Sequence, residues 1–157
     1  MTFPNATTDH SWYDLFAGSL SIERNSLDYK QYPISGRKQF LVAQYVTGTE
    51  KYMPSPITDM GSFDRKVHSW LQMKGEWEQY KTISPYFNLG FMSELVLSSK
   101  NLMNNYTASV LQAPAFTPTP HSQIVFNEAF RANQYVAFGL SPILKFSKLL
   151  HFRLDMY

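Results

Sequence analysis

The stretch 22–46 decides the fold. It reads IERNSLDYKQYPISGRKQFLVAQYV, with segments rich in Leu, Val, Phe and Tyr on both sides of a polar middle. Pro33 fixes one backbone angle and Gly36 permits a positive one, so the chain can reverse its direction between the two segments. The stretch therefore predicts a strand, a short turn and a second strand antiparallel to the first.

The composition narrows the class of protein. A chain of 157 residues suits one domain with its own core. Aromatic residues make up 16% of the chain and charged residues only 17%, a balance that favours β structure and, more weakly, a membrane interface. The net charge is only +2, and the scattered Lys and Arg residues form no track for nucleic acid. The absence of cysteine excludes disulfides and thiolate metal sites.

Apolar and polar side chains alternate along several further segments. In residues 67–80, Leu71 and Met73 fall on one side of a strand, and Lys74 and Glu76 fall on the other. A helix would scatter these charges around its circumference. The predicted strands are 15–25, 38–48, 67–80, 86–98, 132–146 and 150–157.

The lengths of the strands and connections indicate a membrane protein. Several strands approach the nine to eleven residues that cross a bilayer at a tilt. Short turns are expected after the first, third and fifth strands, and long connections, 49–66 and 99–131, after the second and fourth. Short turns on one side and long loops on the other are typical of transmembrane barrels. We therefore predict an all-β fold, an antiparallel meander of about six long strands that forms part of a transmembrane β-barrel.

In such a barrel the polar faces of the strands line a wet interior. The side chains expected on that inward face are Lys74, Glu76, Glu78, Glu94, His151, Arg153 and Asp155. The alternative is a soluble β-sandwich whose polar face meets solvent and whose aromatic face binds carbohydrate or lipid. Periodicity leaves both interpretations open.

Several motifs resemble known families. The opening hairpin, with Glu23-Arg24-Asn25, Tyr32-Pro33 and Ser35-Gly36, resembles the strand-turn-strand signature of the bacterial surface antigen family, the BamA-like outer-membrane barrels. The runs NNYT (104–107), APAFTPTPHS (113–122) and FNEAFRANQY (126–135) are similar to the barrel half of the outer-membrane patatin-like phospholipases. The resemblance covers the chain from about Tyr13 onward, and residues 1–157 would form a single, partial barrel domain of this type.

The resemblance implies a chain without catalytic residues. The enzyme domain of this family precedes the barrel and carries a serine in a Gly-x-Ser-x-Gly elbow. The nearest sequence here, Gly139-Leu140-Ser141-Pro142-Ile143, lacks the second glycine and lies inside a predicted strand. We therefore expect Ser141 to face the barrel interior and expect the chain to be no enzyme.

The implied role is that of a membrane anchor or translocator for a patatin-like phospholipase or surface antigen. The expected location is the outer membrane of a Gram-negative bacterium. The expected partners are the lipid bilayer, the remaining barrel strands, an upstream patatin-like domain and other copies of the chain, but not nucleic acid.

The resemblance also implies a loop that folds into the barrel. Arg131-Ala132-Asn133-Gln134-Tyr135 ends the predicted loop 99–131, where these barrels carry an Arg-Gly-aromatic motif, although Ala132 replaces the glycine and Tyr135 falls later. An arginine among Glu76, Glu78 and Glu94 could form a bidentate pair that pins the loop. The alternative is a solvated loop arginine.

Other chemistry is not expected. His10, His68, His121 and His151 lie on separate elements without ligand spacing, so no metal site or cofactor is predicted. Asp28, Asp59 and Asp64 lie near turns, where aspartate bonds its own backbone.

Features near the two ends of the sequence favour a segment of a larger barrel. Residues 1–14 lack the pattern of a signal peptide. Tyr157 shares a face with Asp155, whereas barrels of this family end in a lipid-facing aromatic residue and have about sixteen strands.

Overall fold

The computed structural model describes residues 10–54, 64–119, 121–147 and 150–157. They form one sheet of six strands, in which each strand pairs antiparallel with the next along the chain. The strands are β1 His10–Asn25, β2 Gly36–Met53, β3 Asp64–Ser84, β4 Phe87–Ser98, β5 Tyr135–Lys145 and β6 His151–Arg153. Helix α1 (Tyr106–Leu111) and a 3-10 turn (Glu128–Phe130) lie between β4 and β5. The prediction of an all-β antiparallel meander is confirmed.

The sheet does not close into a barrel. β1 and β6 form its two edges, and the described residues supply no further strand beside either of them. A single open sheet is therefore what the structure shows of the predicted barrel. Within the same residues no helix is both long enough and apolar enough to cross a bilayer.

The first three strands are longer than the sequence predicted. β1 and β2 pair continuously from His10 opposite Met53 to Asn25 opposite Lys38, so β2 continues into the predicted connection 49–66, and β3 begins inside it at Asp64. The remainder of that connection, 55–63, which includes Asp59, lies outside the described residues. The predicted loop 99–131 is partly helical, because the Asn105 side chain accepts a hydrogen bond from the Ala108 amide and caps α1.

The connection 26–35, called the first loop below, is longer than the predicted short turn. Asp28 Oδ1 accepts hydrogen bonds from the amides of Tyr29, Ile34 and Ser35, which holds the loop in shape. Gly36 has a φ of 102°, as the sequence predicted, and a Cβ there would overlap the carbonyl oxygen of Ser26. The turn between β3 and β4, by contrast, is tight and joins Ser84 to Phe87.

The two faces of the sheet differ in what lies against them. On one face, called the bare face, alternate apolar side chains are exposed; Phe16, for example, is 77% exposed and Leu20 is 74% exposed. The other face, called the covered face, lies under α1 and the loops, and Val46 and Trp70 pack there against Met103. The exposed apolar side chains of the bare face are Phe16, Leu20, Ile22, Leu41, Tyr45, Leu71, Met73, Trp77, Leu89, Leu95, Leu97, Val136, Phe138, Leu140 and Leu144.

Candidate functional site

The covered face carries a cavity of about 350 Å³. Its floor is formed by inward-facing side chains of the strands, and its walls come from the first loop and from the connection 99–134, called the long loop. Tyr32 of the first loop and Thr117 of the long loop line the cavity. Glu78, Tyr80 and Arg153 line it from the sheet. Two loops that fold over the same face therefore enclose the charged side chains that the sequence placed there.

A ladder of charges crosses the floor of the site. The Glu76 carboxylate forms two ion pairs: its Oε2 lies 2.9 Å from Lys38 Nζ, and its Oε1 lies 2.9 Å from Lys74 Nζ. Lys74 Nζ also lies 3.1 Å from Glu94 Oε1. The hydroxyl of Tyr135 donates to Glu94 and extends the ladder to β5. Glu76 and Glu94 are directly opposite each other, where like charges repel, so Lys74 between them stabilises the arrangement.

Glu78 belongs to the same floor but is more loosely paired. Its Oε1 lies 3.9 Å from the Lys38 Nζ, whereas the Lys38 Nζ lies only 2.9 Å from Glu76. Glu78 therefore presents a carboxylate toward the cavity without a close cation.

Arg153 joins three parts of the site. Its Nε lies 2.6 Å from Asp155 Oδ1, its Nη1 donates to the carbonyl oxygen of Pro33 at 2.9 Å, and its Nη2 donates to the Tyr80 hydroxyl at 3.2 Å. The guanidinium also lies over the rings of Tyr32 and Tyr80, 5.6 and 5.3 Å from their centroids. Arg153 thus attaches the first loop to the covered face, a role that the sequence did not reveal.

Ser141 has the surroundings of a structural residue. It is buried on the covered face, and its hydroxyl donates to Asp155 Oδ1 at 2.5 Å. β5 continues as a strand to Lys145, so the helix that a nucleophile elbow requires is not present at this position.

Arg131 does not reach the glutamates, and the predicted pair with Glu76, Glu78 or Glu94 is wrong. Its Nη1 donates to the carbonyl oxygens of Leu111 and Ala113 at 2.8 and 3.0 Å. These carbonyls are at and just beyond the end of α1, where helix geometry leaves acceptors free. Arg131 therefore connects two parts of the long loop to each other. Tyr135, from the same predicted set, does reach Glu94.

The residues of the hairpin signature separate into two groups. Asn25 Oδ1 accepts from the Leu27 amide at 3.0 Å, and Pro33 is a buried residue of the first loop. Together with Gly36 they shape that loop. Arg24 occupies an even position of β1, in the row of Leu20 and Ile22 on the bare face, and is exposed.

A second polar cluster fastens the start of the long loop. Glu50 has no exposed surface, and its carboxylate accepts from the Tyr13 hydroxyl at 3.0 Å and from the Asn104 amide at 3.2 Å. The Nε2 of His68 lies 2.7 Å from Glu50 Oε2, the same oxygen that accepts from the Asn104 amide. The period of two in β2 places Glu50 on the same face as Val46, whereas the sequence predicts a connection at this position.

Lys100 lies beside this cluster in the long loop. It is 7% exposed, its Nζ donates to the Ser109 carbonyl at 3.4 Å, and it lies 5.4 Å from the centroid of the Trp70 ring. Burial lowers the pKa of Lys100. Within the described ranges, no three His, Asp or Glu side chains are grouped as they would be to bind a metal ion.

Comparisons of the chain with protein-family models, with curated proteins and with solved structures give no match. Functional inference therefore depends on the residues and geometry described above.

Proposed function

We propose that the chain is part of a transmembrane β-barrel of a bacterial outer membrane, with its bare face toward lipid and its covered face toward the lumen. The observation that carries this proposal is the bare face itself, a wide apolar surface shared by five neighbouring strands. Soluble proteins rarely expose an apolar patch of this extent. A bilayer would remove it from water at a gain of roughly 25 cal/mol per Å².

The charges of the bare face support the same orientation. On β1, Asp14 and Arg24 bracket an outward row that contains Phe16, Leu20 and Ile22. At roughly 3.3 Å per residue, Asp14 and Arg24 are about 33 Å apart along the strand. With a tilt of about 45° that distance covers about 23 Å of membrane, which is near the apolar height of about 25 Å found in such barrels. The other charged residues of the bare face also lie toward strand ends, at Arg37, Lys51, Arg65 and Lys81.

The covered face has the chemistry of a lumen. Its carboxylates and amines are paired in a ladder that ends at Tyr135, and two loops fold over it. A wet interior with inward-folded loops is usual in barrels of the outer membrane. The soluble sandwich would need a second sheet against the bare face, and the described residues form a single sheet.

Within this barrel the chain acts as a non-catalytic anchor or translocator of a patatin-like phospholipase or surface antigen. The support is the sequence resemblance of the hairpin 22–46 and of the runs 104–107, 113–122 and 126–135, together with the mid-strand position of Ser141. The remaining barrel strands and an upstream catalytic domain are its proposed partners.

Lipid vesicles and detergent test the membrane assignment. The purified chain is mixed with phospholipid vesicles and floated on a density gradient, and a parallel sample is analysed by size-exclusion chromatography with and without detergent. We expect flotation with the vesicles and a dispersed species only in detergent. A monodisperse monomer in plain buffer that does not float would overturn the proposal.

A further inference from the structure

β5 is longer than the strand beside it. β6 pairs with β5 from Ile143 opposite Arg153 to Lys145 opposite His151, and an isolated bridge joins Leu140 to Met156. This register places Tyr157 opposite Gly139, and on that side of β5 the described residues provide no partner for 135–138. The sheet therefore has a step at this edge.

In the unpaired part of β5, the N–H and C=O groups of every second residue point outward from the edge of the sheet. Leu140 exchanges both of its hydrogen bonds with Met156, at 2.9 and 3.0 Å, so its N–H and C=O face the β6 side. In an antiparallel ladder this direction repeats every second residue, which gives Phe138 and Val136 the same orientation. Ala137 and Gly139 face β4 instead, where Ala137 pairs with Glu94 and Gly139 with Met92. The donors and acceptors of Phe138 and Val136 are thus available to another strand.

A groove of about 180 Å³ lies beside the same edge. Phe116 and Phe130 of the long loop form one wall, and Val136 and Ala137 of β5 form the other. The wall is held in place because Ala115 bridges Arg131 and the Phe116 amide donates to the Phe130 carbonyl at 2.8 Å. An extended segment that enters here meets apolar surface as well as free backbone groups.

We propose that β5 at 135–138 is a docking site for an extended peptide that runs antiparallel to β5 in the register of β6. The pairs Lys145–His151, Leu144–Phe152, Ile143–Arg153 and Leu140–Met156 all belong to one uninterrupted register. The next four positions along this ladder therefore oppose Phe138, Ala137, Val136 and Tyr135. This register fixes both the direction and the alignment of the peptide.

The two faces of the sheet fix the chemistry of the peptide. Its first and third residues lie on the bare face beside Phe138 and Val136, which are 60% and 61% exposed, so they should be apolar. Its second and fourth residues lie on the covered face. There Tyr135 donates to Glu94, and the ring centroids of Phe116 and Tyr135 are 6.2 Å apart, so these two residues should be small or polar. This proposal needs only the edge geometry and does not depend on the membrane assignment.

Amide hydrogen exchange on an extended chain tests the site. Val-Ser-Val-Thr is appended after Tyr157 in one variant, and Ser-Val-Thr-Val in a matched control, which places the valines on the wrong face. In detergent micelles we expect exchange at the Phe138 and Val136 amides to slow at least tenfold with the first extension and less than threefold with the control. The Ala137 and Gly139 amides, which face β4, should be protected in both variants and report that the sheet is folded.

Two results would overturn the proposal. The first is equal exchange at Phe138 and Val136 in the unextended chain and both variants while Ala137 and Gly139 stay protected. The second is protection of Phe138 and Val136 in the unextended chain that rises with protein concentration, because the edge would then pair with a second copy.

Discussion

The Nη1 of Arg153 donates a 2.9 Å hydrogen bond to the carbonyl oxygen of Pro33, a contact between residues 120 positions apart. It joins the last strand of the sheet to the first loop. The same guanidinium is held by Asp155 and lies over the rings of Tyr32 and Tyr80. Together with Asn88 of β4, whose Nδ2 donates to the carbonyl oxygen of Ile34 at 2.7 Å, Arg153 fixes the first loop over the covered face.

Replacement of this side chain should loosen the first loop. In Arg153→Met we expect a loss of about 3 kcal/mol in the free energy of unfolding, because Asp155 is left as a poorly solvated charge without its partner. Arg153→Lys should recover only part of the loss, since an ammonium lacks the planar fork that serves Pro33, Tyr80 and Asp155 together. Thermal unfolding in detergent measures the loss. Arg24→Met, on the exposed bare face, is the matched control, and equal effects of both substitutions would contradict the assignment.

The sequence was sufficient for features that depend on local repetition. The alternation of Leu71 and Met73 with Lys74 and Glu76 identified β3, and Gly36 marked the start of β2 with its positive φ. Each of these depends on residues close together in the chain. The face on which the charges lie followed from the same alternation.

The sequence was insufficient for contacts between distant segments. The sequence leaves Arg131 either paired with the glutamates or solvated in its loop, whereas the fold of the long loop directs it to the end of α1. Three strands separate β2 from β6 in the sheet, and Arg153 meets Pro33 only because the first loop folds back over them. Glu50 is not among the predicted site residues because Pro54, Pro56 and Gly61, without any periodicity, predict a connection over 49–66, although β2 continues to Met53. Such contacts depend on register and loop path, which no local pattern encodes.

A charge on the bare face should block membrane insertion. Leu20 lies near the middle of the outward row of β1, and Leu20→Arg should cost about 2 to 4 kcal/mol if that row faces lipid. Ser19→Arg places the same charge on the adjacent residue and the opposite face, so its cost should be small. Vesicle flotation of the two variants gives the comparison. Equal flotation of Leu20→Arg and the parent chain would argue against a lipid-facing row.

Loss of the Glu50 carboxylate should release the start of the long loop. Glu50→Ala leaves the donors of Tyr13 and Asn104 without an acceptor in a buried position, and we expect a loss of about 3 kcal/mol of stability. Limited proteolysis should then cut the long loop faster than in the parent chain. Lys51→Ala is the control, because Lys51 Nζ lies 3.8 Å from an exposed Asp14 and such a pair contributes less than about 1 kcal/mol. Unchanged proteolysis of Glu50→Ala would remove the fastening role.

Acid should weaken the first loop through Asp28. Burial alone would raise the pKa of Asp28, but hydrogen bonds from the amides of Ser35, Ile34 and Tyr29 outweigh it and lower the pKa below its ordinary value. A carboxyl with a lowered pKa in the folded state adds stability above the unfolded pKa, and this stability disappears as pH falls through the folded pKa. Because Asp28 is exposed, the effect should be less than about 1 kcal/mol and confined to the range below about pH 5.

Asp28→Asn provides the measurement, since it keeps an acceptor oxygen but cannot titrate. Between about pH 5 and pH 2 the parent chain should lose more stability than Asp28→Asn, and above that range the two curves should run parallel. Parallel curves over the whole range would show that Asp28 does not titrate in a folded loop.

Gly36, the residue that follows the first loop and begins β2, should tolerate no side chain. Its φ of 102° is unfavourable for any residue with a Cβ, and that Cβ would overlap the Ser26 carbonyl oxygen, which is backbone and cannot move aside. We expect Gly36→Ala to cost about 1 to 3 kcal/mol, measured by thermal unfolding. Gly75→Ala is the matched control, because a Cβ there would meet only the end of the Leu41 side chain at 3.8 Å. If Gly36→Ala and Gly75→Ala unfold at the same temperature, the strained turn at the start of β2 is not required for the hairpin.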